Sequence, residues 1–350
     1  MRLSRLLTPL LAIALVLGIS AAVPVRGAEP ATVRIGLLNI TSDAPFIIAD
    51  RKGFFKEEGV NAVFTTFASS GNMIVPLSAG QLDAGGGAPT VGVYNGVSRG
   101  INVRVVADRG SDPPGYGFDP LLVRKDLVTS GKFKTPKDLK GMTVAGNQPG
   151  SASSSTLNEL LKKYGLTFAD IKRVNLDYPE HVAAFSNGKI DAGITAEPEA
   201  SAAEKLGVAV RIMGSDAWYP SQQLSVVIFG GDFAKNHRDV AVRFMRAYVK
   251  AARFYYEALA NGHLAGPNAA EVIAILTEAT NIKDPAVYRS ITPSAINPDG
   301  RLNVASMRKD LQFYKEQGMI EGKVEVEDVI DTSFIDEAIK QLGPYRPRRR

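Results

Sequence analysis

The stretch Leu77-Ser78-Ala79-Gly80-Gln81-Leu82-Asp83-Ala84-Gly85 returns further along the chain as Phe185-Ser186-Asn187-Gly188-Lys189-Ile190-Asp191-Ala192-Gly193. Each copy reads as the end of an apolar-periodic helix, a Gly where the helix stops with positive φ, and a short strand entered through Asp-Ala-Gly. A chain that carries this unit twice reads as two similar halves, the competing reading being ordinary αβ-loop chemistry that recurs by chance. The residues just past each strand, Gly86-Gly87-Ala88-Pro89-Thr90 and Thr195-Ala196-Glu197-Pro198, fall at its carboxyl end. Ligands bind at that end in open α/β sheets. The repeat therefore points to two lobes that clamp something small between them.

The amino terminus sets the compartment. A short basic start, Met1 to Arg5, precedes an apolar core from Leu6 to Ile19 and small residues from Ser20 to Ala28. This is the pattern of a cleavable export signal over 1–28. The alternative, a membrane anchor, is disfavoured because the run falls short of the roughly 20 apolar residues a bilayer requires. Cysteine is absent, which excludes disulfides, thiolate metal sites and a lipid-modified Cys after the signal. The expectation is a free, exported, monomeric protein of a bacterial periplasm. His181, His237 and His263 lie too far apart for metal-ligand spacing. The formal charge of +5 is concentrated at the two ends, in Arg2, Arg5, Arg26 and the tail from Arg346 to Arg350. With no aromatic interleaving, that tail reads as a solvated terminus rather than a nucleic-acid contact.

Short β-branched runs alternate with helical stretches, which predicts α/β lobes with covered, parallel sheets. Strands are expected at Val33 to Leu38, Asn61 to Phe67, Val103 to Asp108 and Leu121 to Lys125, then at Thr143 to Gly146, Ile171 to Leu176, Ala192 to Thr195 and Ala209 to Met213. The division of the chain is expected as 29–125 in the first lobe, 126–224 in the second, 225–342 back in the first, and a basic tail at 343–350. The change of lobe is placed near Arg124 to Asp126. Ser225 to Phe229 reads as the returning strand. From Asn236 onward the signals are helical, and this block is expected to lack strands and to pack on the first lobe. Two crossings make a natural hinge, because few backbone dihedrals must change for closure.

Val33-Arg34-Ile35-Gly36-Leu37, Ala44-Pro45-Phe46 and the run Ala49-Asp50-Arg51-Lys52-Gly53-Phe54-Phe55-Lys56-Glu57-Glu58-Gly59-Val60 resemble the opening of solute-binding proteins that serve nitrate, sulfonate, taurine and thiamine-precursor ABC importers. Leu77 to Gly85, Asp138-Leu139-Lys140-Gly141, Gly150-Ser151 and Gly188 to Ala192 extend the likeness over nearly the whole exported chain. The resemblance implies the periplasmic-binding-protein-like (type II) fold, two α/β lobes joined by two hinge crossings. It also implies delivery of ligand to a membrane permease driven by a cytoplasmic ATPase, with no cofactor. These motifs are structural and do not name the ligand.

Several loops expected at strand ends lead into helices, whose first amides attract anions. Thr41-Ser42-Asp43, Ser70-Gly71-Asn72 and Ser151 to Ser153 are candidate contacts for a sulfonate or carboxylate, with ordinary helix capping as the competing role for each. Gly87 ends the run Gly85-Gly86-Gly87 that lets backbone approach a ligand, and Ala88 and Pro89 follow it. Glu197 is placed to accept from a ligand amine or to cap a helix. Tyr116, Phe118, Trp218 and Tyr219 are aromatics near the crossings, suited to an organic ligand or to hinge packing. Arg109 and Arg124 could pair bidentately with a ligand anion, but surface or interlobe ion pairs are the expected role of each. The expected ligand is a small organic anion, then an inorganic oxyanion, then a cationic pyrimidine.

Two other functions fit a two-lobed fold. An enzyme related to thiamine-pyrimidine synthesis or porphobilinogen deamination would need a cofactor lysine with a reactive histidine, or a cofactor-bearing cysteine. The missing Cys and the export signal weigh against both. A periplasmic sensor adaptor would bind in the same way but report to a receptor. Neighbouring permease and ATPase genes would mark an importer, whereas an isolated receptor kinase gene would mark a sensor.

Overall fold

The computed structural model describes residues 30–67 and 69–347. The expected export signal and Arg348 to Arg350 of the tail lie outside the described residues. Ten strands form two five-stranded sheets. The first contains β1 (Ala31–Leu37), β2 (Val60–Thr66), β3 (Ala84–Gly87) and β4 (Val103–Ser111). The second contains β5 (Leu121–Arg124), β6 (Thr143–Gly146), β7 (Lys172–Asn175), β8 (Ala192–Ile194) and β9 (Ala209–Met213). The chain then returns to the first sheet as β10 (Gln223–Gly230).

The strand orders are β2-β1-β3-β10-β4 and β7-β6-β8-β5-β9, one pattern used twice. In each sheet the strand that arrives from the other half of the chain is the antiparallel one: β10 against β3 and β4, and β5 against β8 and β9. The sheets are therefore mixed rather than parallel throughout. The change of lobe also comes earlier than Arg124 to Asp126, between Ser111 and Leu121, because β5 pairs with the second sheet. A four-residue strand carries no mark of which sheet it joins.

The repeat has the same structural duty in both halves. Gly80 and Gly188 take φ of 68° and 70°, the left-handed conformation that glycine adopts without strain. The Asp83 carboxylate accepts from Arg34 N in β1 at 2.8 Å, and Asp191 accepts from Thr143 N in β6 at 2.9 Å. Each aspartate in turn donates its own N–H to the carbonyl of that same residue. The recurring Asp thus clips the strand it opens to the first strand of its lobe.

Apolar layers cover both faces of the first sheet. On one face lies the helix Arg238–Tyr256, whose buried Ala241, Phe244, Met245, Tyr248, Ala252 and Tyr255 follow the three-and-four spacing of a helix stripe. It packs against the helices Ala44–Arg51 and Ser333–Leu342. On the other face Met73, Ile74, Tyr94, Leu311 and Tyr314 join Val105, Val226 and Ile228 of the sheet. The late block is not wholly helical, since Leu259–Ala260 and His263–Leu264 pair as a small antiparallel ribbon. Among the described residues no helix is long and apolar enough to cross a membrane.

The two crossings, 112–120 and 214–222, run side by side. Gly115 N donates to Asp216 at 2.7 Å and Ser221 N to Asp112 O at 2.9 Å. A Cβ on Gly117 would come within 2.4 Å of Gly214 Cα, so only glycine permits that approach. A second link lies behind the hinge. The buried Asp310 carboxylate, on the helix Val304–Glu316, accepts from Ser155 of the second lobe and from Tyr219 and Gln222 of the returning crossing.

Candidate functional site

Between the lobes lies a cavity of about 570 Å³, within the range of small-molecule sites. Its walls come from the strand ends. Leu38 and Ile40 follow β1, Ser69 to Gly71 follow β2, and Gly87, Ala88 and Thr90 follow β3. From the second lobe Asn147 to Ser153 follow β6, while Asp177 and Tyr178 follow β7. Phe118 and Asp119 enter from the first crossing, and Leu224 and Ser225 from the start of β10. Leu38, Ile40, Val91, Phe118, Pro149 and Leu224 make much of the lining apolar, which suits an organic ligand. The lobes meet across the mouth where Val91 N donates to Gly150 O at 3.0 Å.

The helices Gly71–Ser78, Ala152–Lys163 and Tyr178–Ser186 begin at this cavity. Ser70 and Ser151 sit at the starts of the first two, yet neither side chain caps its helix. The hydroxyls of Ser151 and Ser153 are buried and find no partner in hydrogen-bonding geometry. Buried hydroxyls are normally paired, so these two remain available to a ligand. Tyr178 also lines the cavity. Burial first, then the charge of Asp119, holds its phenol well above the ordinary range, with Ser153 and Asn147 opposing.

Arg109 lines the cavity and is paired with Asp43 behind it. Their side chains are 1% and 0% exposed and make a direct ion pair, so Arg109 sits in a buried pair inside the first lobe rather than in a surface or interlobe one. Asp43 also accepts from Leu38 N at 2.9 Å and Ile40 N at 3.3 Å. Burial pushes its carboxyl up, against the lowering effect of Arg109 and these amides. The guanidinium lies over β3, where a Cβ on Gly86 would come within 2.6 Å of Arg109 Nη1. Because that guanidinium is pinned by Asp43, Gly86→Ala is expected to cost about 1–3 kcal/mol in denaturant unfolding, as overpacking does. An unchanged midpoint would mean that Arg109 can move aside.

Of the sequence-derived candidates, the cavity brings together Ser42, Ser70, Gly71, Gly87, Ala88, Ser151 and Ser153. Others fall outside it, each for an identifiable reason. Asp43 is occupied as the counter-ion of Arg109. Thr41 and Pro89 are buried behind the wall, and Asn72 faces out on its helix. Tyr116 leaves for the turn at Gly262 and Tyr256. Glu197 is taken by Arg211 and by Ser201 N at 3.0 Å, and it touches the first lobe through Thr292 N at 3.4 Å. Trp218 donates to Thr156 O at 2.9 Å inside the second-lobe core, and Tyr219 bonds Asp310. Arg124 pairs with Asp126 and Asp191 on the surface.

Sequence reasoning missed Asp119, Asn147, Asp177 and Tyr178. The last three sit at strand carboxyl ends and were open to the same rule that found Ser151. Asp119 had no such signal. Among the described residues no three His, Asp or Glu side chains converge as metal ligands.

A family model described as "NMT1/THI5 like" matches residues 40–258. The taurine-binding periplasmic protein of Escherichia coli (strain K12) is 26% identical over 289 residues, covering 80% of this chain and 85% of that protein. Among solved structures, the periplasmic aliphatic sulphonate binding protein SsuA from Escherichia coli superposes with a TM-score of 0.68 at 22% identity, covering 86% of this chain and 92% of that one. The periplasmic nitrate-binding protein NrtA from Synechocystis PCC 6803 gives 0.71 at 15% identity, covering 90% of each.

Proposed function

Since the chain belongs to the NMT1/THI5-like family and its curated relatives are solute-binding proteins rather than enzymes, we propose that it captures a small organic anion, a sulfonate or carboxylate, in the interlobe cavity. It would work in the periplasm and hand its ligand to a membrane permease driven by a cytoplasmic ATPase. The observation that carries the ligand class is the pair of unpartnered hydroxyls, Ser151 and Ser153, at the start of the helix Ala152–Lys163. A helix amino terminus presents free N–H groups and a partial positive charge, and an anion there would satisfy amides and hydroxyls together.

Capture requires no covalent step. The ligand docks on one lobe, contacts with the other favour the closed form, and the closed surface is what a permease would read. The Val91 to Gly150 hydrogen bond is one contact that such closure would make.

The test is the double variant Ser151→Ala/Ser153→Ala. Hydrogen bonds to a charged group are worth about 1.5–3 kcal/mol each, so losing both should weaken a bound sulfonate by about a hundredfold or more. Without ligand the variant should melt close to the wild type, because the Ser151 hydroxyl has no protein partner and Ser153 has only the Tyr178 phenol beside it. Unchanged affinity in calorimetry would place the anion elsewhere.

A further inference from the structure

The cavity wall carries a carboxylate that the fold leaves without a partner. Asp119 is 3% exposed, lines the cavity, and has an Oδ1 atom that is buried and unbonded. Among the described residues it makes no ion pair. Its acidic neighbour makes matters worse: the charge of Glu197, from the second lobe, acts on it, while Asp112 on its own crossing has its carboxyl pushed well up by burial. The arginine in the wall, Arg109, is already neutralised by Asp43. Among the described residues no lysine lines the cavity. Burial first, then Glu197, raises the Asp119 carboxyl to about 7.

A buried carboxylate in such surroundings is stable only when paired, and the missing partner can come from the cavity. We propose that Asp119 selects ligands that bear a protonated nitrogen, so that the molecule captured is a zwitterion whose anionic group lies at Ser151 and Ser153. This rests on the anion-binding reading of the same cavity and adds the second charge to it. An N–H donor in reach of Oδ1 would satisfy the orphaned atom, and a positive charge would offset the negative potential that Glu197 supplies. A ligand carrying only negative charge would meet an acidic wall.

The test compares the purified protein with Asp119→Asn by calorimetry at about pH 8, using 2-aminoethanesulfonate, ethanesulfonate and ethylammonium. The wild type should prefer the aminosulfonate over ethanesulfonate by about tenfold or more. Asp119→Asn should reduce that preference to about twofold while binding ethanesulfonate at least as well as the wild type does. The unliganded variant should melt no lower than the wild type, which shows it to be folded. Should it fail to fold, the wild type alone suffices, because its preference should decline as pH is lowered through about 7. A preference that ignores both the substitution and pH overturns the inference. If ethylammonium alone binds, and only with Asp119 intact, the Asp119 assignment stands and the anion reading falls. If none of the three binds either form, both are overturned.

Discussion

Arg109→Met should cost about 3–5 kcal/mol at neutral pH, the range found when one partner of a buried ion pair is removed. The guanidinium and the Asp43 carboxylate touch with no solvent access to either side chain. Without the arginine, Asp43 is left as an uncompensated charge held by two backbone amides. The loss should shrink as pH falls, because the Asp43 carboxyl is already pushed up by burial and will take a proton when it stands alone. Asp43→Asn added to Arg109→Met should recover more than half of the loss, since a neutral replacement of both members of a buried pair is often tolerated. Equilibrium denaturation of the two variants at two pH values decides it. A cost under about 1 kcal/mol for the single change would show that the pair does not sustain Asp43.

Stability should rise as the solution is taken from about pH 7.5 to about pH 5. Burial raises Asp119 to about 7 and Asp108 and Asp310 to about 6, from an ordinary value of 3.8. Glu197 adds to the effect at Asp119, while hydrogen bonds from Asn297, Gln223 and Gly110 oppose it at Asp108. An acid whose folded pKa exceeds its unfolded one makes the native state hold more protons between those two values. Stability therefore falls as pH climbs through that window, here from about 4 to about 7. At 1.36 kcal/mol per unit, Asp119 alone accounts for on the order of 4 kcal/mol. Glu58, a half-buried acid held low by Arg246 and Lys250 despite burial, acts in the opposite sense, and its contribution is lost only at lower pH. A melting temperature that stays flat or drops between pH 7.5 and pH 5 would sink the prediction. Asp119→Asn should flatten the upper part of the profile.

The sequence carried the fold further than the site. Gly80 and Gly188 announced helix stops by residue type, and the two copies of Asp-Ala-Gly marked β3 and β8, which hold equivalent places in their sheets. That information is local, because a helix end and a strand start depend on neighbours a few residues away. The fates of Glu197, Trp218, Tyr116 and Asp43 were settled by partners distant in the chain: Arg211, Thr156, Gly262 and Arg109. Nothing beside them in sequence showed that their polar atoms were already engaged. Ser151 shows the converse. Its type and position fit a helix cap equally well, and only the geometry shows that its hydroxyl is left over.

The placing of β10 has a consequence for how the molecule is built. It lies between β3 and β4 and is the one member of the first sheet that comes after the second lobe in the chain. As the polypeptide emerges, the second lobe has all five of its strands once Met213 is out, whereas β3 and β4 still face an empty slot with open edges. The first lobe must wait for Gly230, with the three strands β2-β1-β3 and the lone β4 held apart until the last one slides in to join them.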